Sequence, residues 1–149
     1  MDKKILGRVY KYLSLKPRTK KEVKEYILRK FNLPLSEVEN IVNYLCKNGF
    51  IDDDFVKESY VHSRILKGFG RKYIKHKLML RGIRVEDNEI TLDIDRVVGV
   101  VLRRYGKEIA EGDRVKIKAK IHRFLLRRGF SKNEVNLIIS KILDNLDNR

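Results

Sequence analysis

The stretch LKPRTKKEVKEYI, Leu15 to Ile27, returns as LKGFGRKYIKHKL, Leu66 to Leu78. Leu15 answers to Leu66, Lys16 to Lys67, Val23 to Ile74 and Ile27 to Leu78, so apolar positions match apolar positions at one constant offset. A spacing of about fifty residues is the period of a repeat protein, whose units bury their cores against neighbours. A third copy follows at a slightly shorter offset. Ile74 and Leu78 are answered by Ile121 and Leu125, and Leu80, Arg81, Gly82, Ile83 by Leu126, Arg127, Arg128, Gly129, Phe130. A basic residue, then Gly, then an apolar residue suits a helix C-terminus: Gly takes left-handed backbone without a Cβ penalty, and the cation faces the terminal carbonyls. Lys47, Gly49 and Phe50 use the same chemistry at another helix end.

Helical periodicity fills the units. Ile5, Val9 and Leu13 share one face, and Pro17 ends that helix. Val38, Ile41, Val42 and Leu45 fall at i, i+3, i+4 and i+7, and Val135, Ile138, Ile139, Ile142 and Leu146 keep the same rhythm. Thr19 with Glu22, Ser36 with Glu39, and Ser131 with Glu134 have capping-box spacing and mark three helix starts. The expectation is an all-α fold of three tandem three-helix repeats, residues 1–51, 52–95 and 96–149, in a curved, elongated arrangement. In Asn88 to Leu102, NEITLDI alternates like a strand and VVGVVL is β-branched, but the echo of Asn88, Glu89, Ile90 in Asn133, Glu134, Val135 assigns helix. Gly106 and Gly112 are expected to frame a looser connection before a helix from Asp113.

With 35 Lys and Arg against 20 Asp and Glu, the formal charge is +15, which predicts attraction to polyanions. The excess is concentrated. From Phe55 to Val85 Glu58 is the sole acid among nine basic residues, and no acid occurs between Lys116 and Lys132. The single cysteine, Cys46, excludes an intramolecular disulfide and sits in an apolar stripe as a small hydrophobe, consistent with a reducing compartment. MDKKILGRVYKY has no apolar core of signal-peptide length, and no stretch approaches a membrane span, so a cytoplasmic location without membrane association is expected.

Catalytic chemistry finds little support. His62, His76 and His122 are isolated, without a nucleophile, base or metal ligand at useful spacing, so no catalytic residue, metal or cofactor is assigned. Asp52, Asp53 and Asp54 suit a helix N-terminus; a nuclease-type metal site is the minor alternative, because consecutive carboxylates on one turn point in different directions. Gly68, Phe69, Gly70 does not follow a strand and reads as an inter-helix turn rather than a phosphate loop.

The basic residues carry more information. In the helix from Asp113, Ile117, Ile121, Phe124 and Leu125 share one face, while Lys116, Lys120, Arg123 and Arg127 form a cationic stripe opposite. A merely solvated face is the alternative, although such faces usually intersperse acids. Around the turn of the second unit stand Arg64, Lys67, Arg71, Lys72 and Lys75, with Tyr60, Phe69 and Tyr73 interleaved. Aromatics among cations suit nucleic acid or a protein surface.

Ile51 to Ile83, IDDDFVKESYVHSRILKGFGRKYIKHKLMLRGI, resembles the signature of the RecX family of RecA regulators. The matching residues are Asp52, Asp53, Phe55, Tyr60, Arg64, Gly68, Gly70, Ile74, Leu78, Gly82 and Ile83, and the flanking thirds match as tandem repeats. The resemblance implies a curved row of three three-helix repeats. It also implies a non-enzymatic regulator that lies along the RecA filament on single- or double-stranded DNA; a monomer is expected. Such a protein dampens strand exchange, ATP hydrolysis and coprotease activity, with a place in recombination, DNA repair and the SOS response. On this reading Tyr60, Arg64, Lys67, Arg71, Lys72, Lys75, Lys116, Lys120, Arg123 and Arg127 contact RecA or DNA. The alternative of another class is a stand-alone helix-turn-helix or winged-helix DNA-binding protein, with NEITLDI as a wing strand.

Overall fold

A computed structural model describes residues 1–147. The described residues form α1 (Lys3–Leu15), α2 (Lys20–Lys30), α3 (Leu35–Lys47), α4 (Asp53–Leu66), α5 (Arg71–Leu80), a 3-10 turn (Asp87–Glu89), α6 (Ile94–Glu111), α7 (Arg114–Arg127) and α8 (Lys132–Asp147), with no strand among them. The fold is all-α. None of the helices is long and apolar enough to cross a membrane.

The chain divides into two compact units, Met1–Ser59 with Leu78–Arg84, and Tyr60–Lys77 with Val85–Arg149, so α4 and α5 each contribute residues to both. In the first unit Val9 of α1, Val23 and Ile27 of α2, and Val38, Ile41, Val42 and Leu45 of α3 form the core. In the second, Val97, Val98 and Val101 of α6, Phe124 and Leu125 of α7, and Val135, Ile138 and Ile139 of α8 do so. These are the apolar stripes of the sequence. Each fully buried Ile, Leu or Phe contributes on the order of 1.5–3 kcal/mol by leaving water. Cys46 is half-buried and free, and burial pushes its thiol pKa up, away from reactivity.

Helix starts follow local chemistry. The Thr19–Glu22 box forms in full at α2, and Ser131 with Glu134 makes both reciprocal bonds at α8, at 2.8 and 3.2 Å. Asp52 accepts from the Phe55 N–H at 3.1 Å, and Asp53 accepts from the Lys20 N–H at 2.9 Å. The acidic run thus serves the starts of α4 and α2, and no group of His, Cys, Asp or Glu suited to a metal ion occurs among the described residues.

The expected Ser36–Glu39 box does not form. Pro34 is the N-cap of α3 and the helix begins at Leu35, which places Ser36 inside it, where helical backbone denies it the extended conformation of a cap. Asn88 to Leu102 is helical only in part: the turn at Asp87–Glu89 leads into extended backbone, and α6 starts behind the Asp93 cap. The second unit of the repeat therefore has this 3-10 turn where a third α-helix was expected. Ile90 is buried at 1% exposure, so its alternation records one-sided burial without a paired strand. Nor do Gly106 and Gly112 frame a loose connection. α6 runs through Gly99 and Gly106 to Glu111 because Val97, Val98, Val101 and Ile109 keep it packed, outweighing roughly 1 kcal/mol of helix penalty per Gly.

Candidate interaction surface

A joint between helix ends recurs, once inside each unit. In the first unit, the C-terminus of α5 meets the N-terminus of α2. The Thr19 hydroxyl donates to the Arg81 carbonyl at 2.6 Å, Lys21 Nζ donates to the Leu80 carbonyl at 3.3 Å, and Arg81 returns Nε and Nη2 bonds to Glu22 at 3.2 and 2.9 Å. In the second unit, the C-terminus of α7 meets the N-terminus of α5. The Gly70 N–H donates to the Arg128 carbonyl at 2.8 Å and the Lys72 N–H to the Gly129 carbonyl at 3.1 Å. A helix N-terminus lacks acceptors and a C-terminus lacks donors, so each end satisfies the other. The approach requires glycine: a Cβ on Gly70 would lie 2.5 Å from the carbonyl carbon and oxygen of Gly129. The turn Gly68, Phe69, Gly70 therefore presents its following amides to protein carbonyls rather than to a phosphate.

Arg71 belongs to this joint. Its Nη1 pairs with Glu134 at 2.8 Å, and its Nε donates to the Ile90 and Asp87 carbonyls at 3.0 and 3.3 Å. Lys75 pairs with Asp87 at 2.9 Å, and that hydrogen bond, reinforced by the charges of Lys75 and Arg71, lowers the Asp87 pKa. Both cations are thus engaged within the unit. Lys67 and Lys72 are exposed.

Arginines lie on aromatic rings beside the same turn. Arg64 sits 5.1 Å from the Tyr60 centroid and 5.8 Å from that of Phe69, its Nε shielded from solvent and without a hydrogen bond. Phe69 stacks on Tyr73 at 4.1 Å, and Arg128 lies 4.1 Å from the Phe69 centroid. Arg128 and Arg104 both lie over Phe124, at 4.8 and 4.9 Å. Burial, then the nearby charge of Arg104, lowers the Arg128 pKa, although the group stays cationic at neutral pH. Sequence reasoning left Arg104 and Arg128 out. The doublets Arg103–Arg104 and Arg127–Arg128 signalled charge, but nothing local told which member of each turns onto a ring.

On α7, Ile117, Ile121, Phe124 and Leu125 are buried and Lys116, Lys120, Arg123 and Arg127 are exposed, as the periodicity predicts. Acids absent from the α7 sequence come from α6. An open groove is lined by Lys116, Lys120 and Arg123 together with Glu108 and Glu111, and Lys120 pairs with Glu108 at 3.0 Å.

The fold and this surface define a strongly basic all-α protein that holds arginine on aromatic rings. No family model matches the chain. It is 32% identical over 107 residues to the regulatory protein RecX of Serratia proteamaculans, covering 68% of this chain and 62% of that protein's length. To the regulatory protein RecX of Clostridium tetani it is 28% identical over 94% of this chain and 68% of the relative. The crystal structure of RecX from Lactobacillus salivarius superposes with a TM-score of 0.76 at 28% identity, covering 93% of this chain and 94% of that one. The chain belongs to the RecX family of regulatory proteins. It spans less than two thirds of the Serratia relative.

Proposed function

We propose that the protein binds the RecA filament on DNA and modulates it, mainly by inhibiting strand exchange, ATP hydrolysis and coprotease activity. Family membership supports the partner, and the exposed row Lys116, Arg123 and Arg127 on α7 is the observation that carries a polyanion-bearing partner. Cations of this kind supply a salt-sensitive share of affinity. Tyr60, Arg64, Lys67 and Lys72 complete the contact surface, while Arg71, Lys75 and Lys120, which already have carboxylate partners, contribute less. The role is regulatory rather than catalytic, acting in the cytoplasm on recombination and repair.

The test is DNA-dependent ATP hydrolysis by the cognate recombinase, titrated with the protein. Inhibition is expected. The variant with Lys116, Lys120, Arg123 and Arg127 all replaced by Gln should keep its stability within about 1 kcal/mol and inhibit more weakly. An unchanged ATPase and unchanged strand exchange at saturating protein would end the proposal. The winged alternative loses its wing, since no hairpin occurs at residues 86–102 among the described residues.

A further inference from the structure

Two of the half-buried arginines have carboxylate partners: Arg71 has Glu134 at 2.8 Å and Arg81 has Glu22 at 2.9 Å. Arg18 and Arg64 instead lie on the Tyr12 and Tyr60 rings at 4.0 and 5.1 Å, with their Nε atoms without a hydrogen bond. Exposed Arg104 and half-buried Arg128 also lack a carboxylate: Arg128 donates from Nη1 to the Lys67 carbonyl at 2.9 Å, Arg104 from Nε to the Tyr105 hydroxyl at 3.4 Å, and neither makes an ion pair among the described residues. Yet both guanidinium carbons lie within 5 Å of one ring, Phe124. Two like charges over a common ring repel, and the ring quadrupole offsets only part of that. Extending the DNA-binding part of the proposed function, on which this step rests, we propose that Arg104 and Arg128 form a seat for a backbone phosphate of nucleic acid, floored by Phe124.

A phosphate between the two forks supplies the missing counter-charge, and planar guanidinium matches its oxygens. Nucleic acid fits better than an acidic protein because the same helix carries a row of further exposed cations. Arg123 and Arg127 are exposed on the same helix, and Lys116 to Arg128 spans about 18 Å of helix rise. A polymer with regularly spaced charges engages such a row, whereas a lone carboxylate does not. Phe69 stacks on Tyr73 and carries Arg128, and Phe124 is buried, so neither of these two rings offers a free face to a base. The seat therefore reads phosphates and is indifferent to base sequence.

The test is binding of the full chain to labelled single-stranded and duplex oligonucleotides of unrelated sequence, without recombinase, as salt is raised. Arg104 is exposed, so Arg104→Gln should melt as the parent does. It should also lose affinity about tenfold at low salt and flatten the slope of log K against log salt by roughly 0.7 on single strands or 0.9 on duplex. Arg128→Lys, which keeps the charge and loses the fork, should weaken binding with little change in slope. Arg29→Gln removes an exposed charge from the other unit and should leave both quantities nearly unchanged. Parental affinity and slope in Arg104→Gln, or an equal effect in Arg29→Gln, would overturn the seat. So would parental oligonucleotide binding combined with a lost effect on the filament, which would assign the pair to an acidic protein surface. Because the readout contains no recombinase, the seat and the filament proposal fail separately.

Discussion

One carboxylate at Glu22 holds three donors from two helix ends. Burial by itself would raise its pKa, but hydrogen bonds from Arg81 and from the Thr19 backbone, with the charge of Arg81, outweigh that and lower it. A folded-state pKa below the unfolded one stabilises the fold above the ordinary carboxylate range, and that stability is lost as pH falls through the folded value. Glu22→Gln should therefore melt below the parent at pH 7, by the equivalent of about 1–3 kcal/mol. The gap should narrow below about pH 4.5, the ordinary glutamate value, and thermal melts at pH 7 and about pH 3 decide it; a constant gap would show that shape rather than charge is responsible. Residues of this kind were only half legible in sequence. The Thr19–Glu22 box is local and could be read, but Arg81 meets Glu22 across 59 positions and Arg71 meets Glu134 across 63. No local pattern distinguishes an arginine destined for an internal carboxylate from one left on the surface.

Among elements, helix interiors were legible because periodicity records which face is buried, whereas helix ends depended on what arrives there. Pro34 moved the start of α3 ahead of Ser36, and packing carried α6 across Gly106. The two kinds of glycine separate cleanly. Gly82 has φ of +83°, and a Cβ there would lie 2.6 Å from that of Lys21 on α2. Gly82→Val should cost about 2–4 kcal/mol, from left-handed strain and overpacking. Gly106, within α6 and with nothing within 4 Å of an added Cβ, should tolerate Ala and gain up to about 1 kcal/mol. Urea unfolding of both variants checks the pair, and a Gly82→Val protein of parental stability would refute the joint. The cationic stripe of α7 was readable from its own sequence, but its mixing with Glu108 and Glu111 was not, because the acids belong to another helix.

For the whole molecule the dominant quantity is a formal charge of +15. Exposed ion pairs such as Lys21 with Glu25 at 3.9 Å contribute little, so self-repulsion among cations is the larger electrostatic effect on stability. Sodium chloride screens it, with a Debye length near 10 Å at about 0.1 M. The melting temperature should rise by a few degrees between about 20 and 200 mM salt, and a fall would mean that attractive pairs dominate. The same salt weakens polyanion binding, so stability and affinity should move in opposite directions. The joined helix ends add a kinetic signature. First-turn amides of a helix ordinarily exchange their hydrogens with solvent as freely as a loop does. Here the amides of Gly70, just ahead of α5, and of Lys72 are held by the Arg128 and Gly129 carbonyls just past the end of α7, and the Lys20 amide by Asp53. In heavy water these first-turn positions should retain their protons like residues of a helix interior, so that the beginnings of α2 and α5 report the lifetime of the fold rather than the fraying of an end.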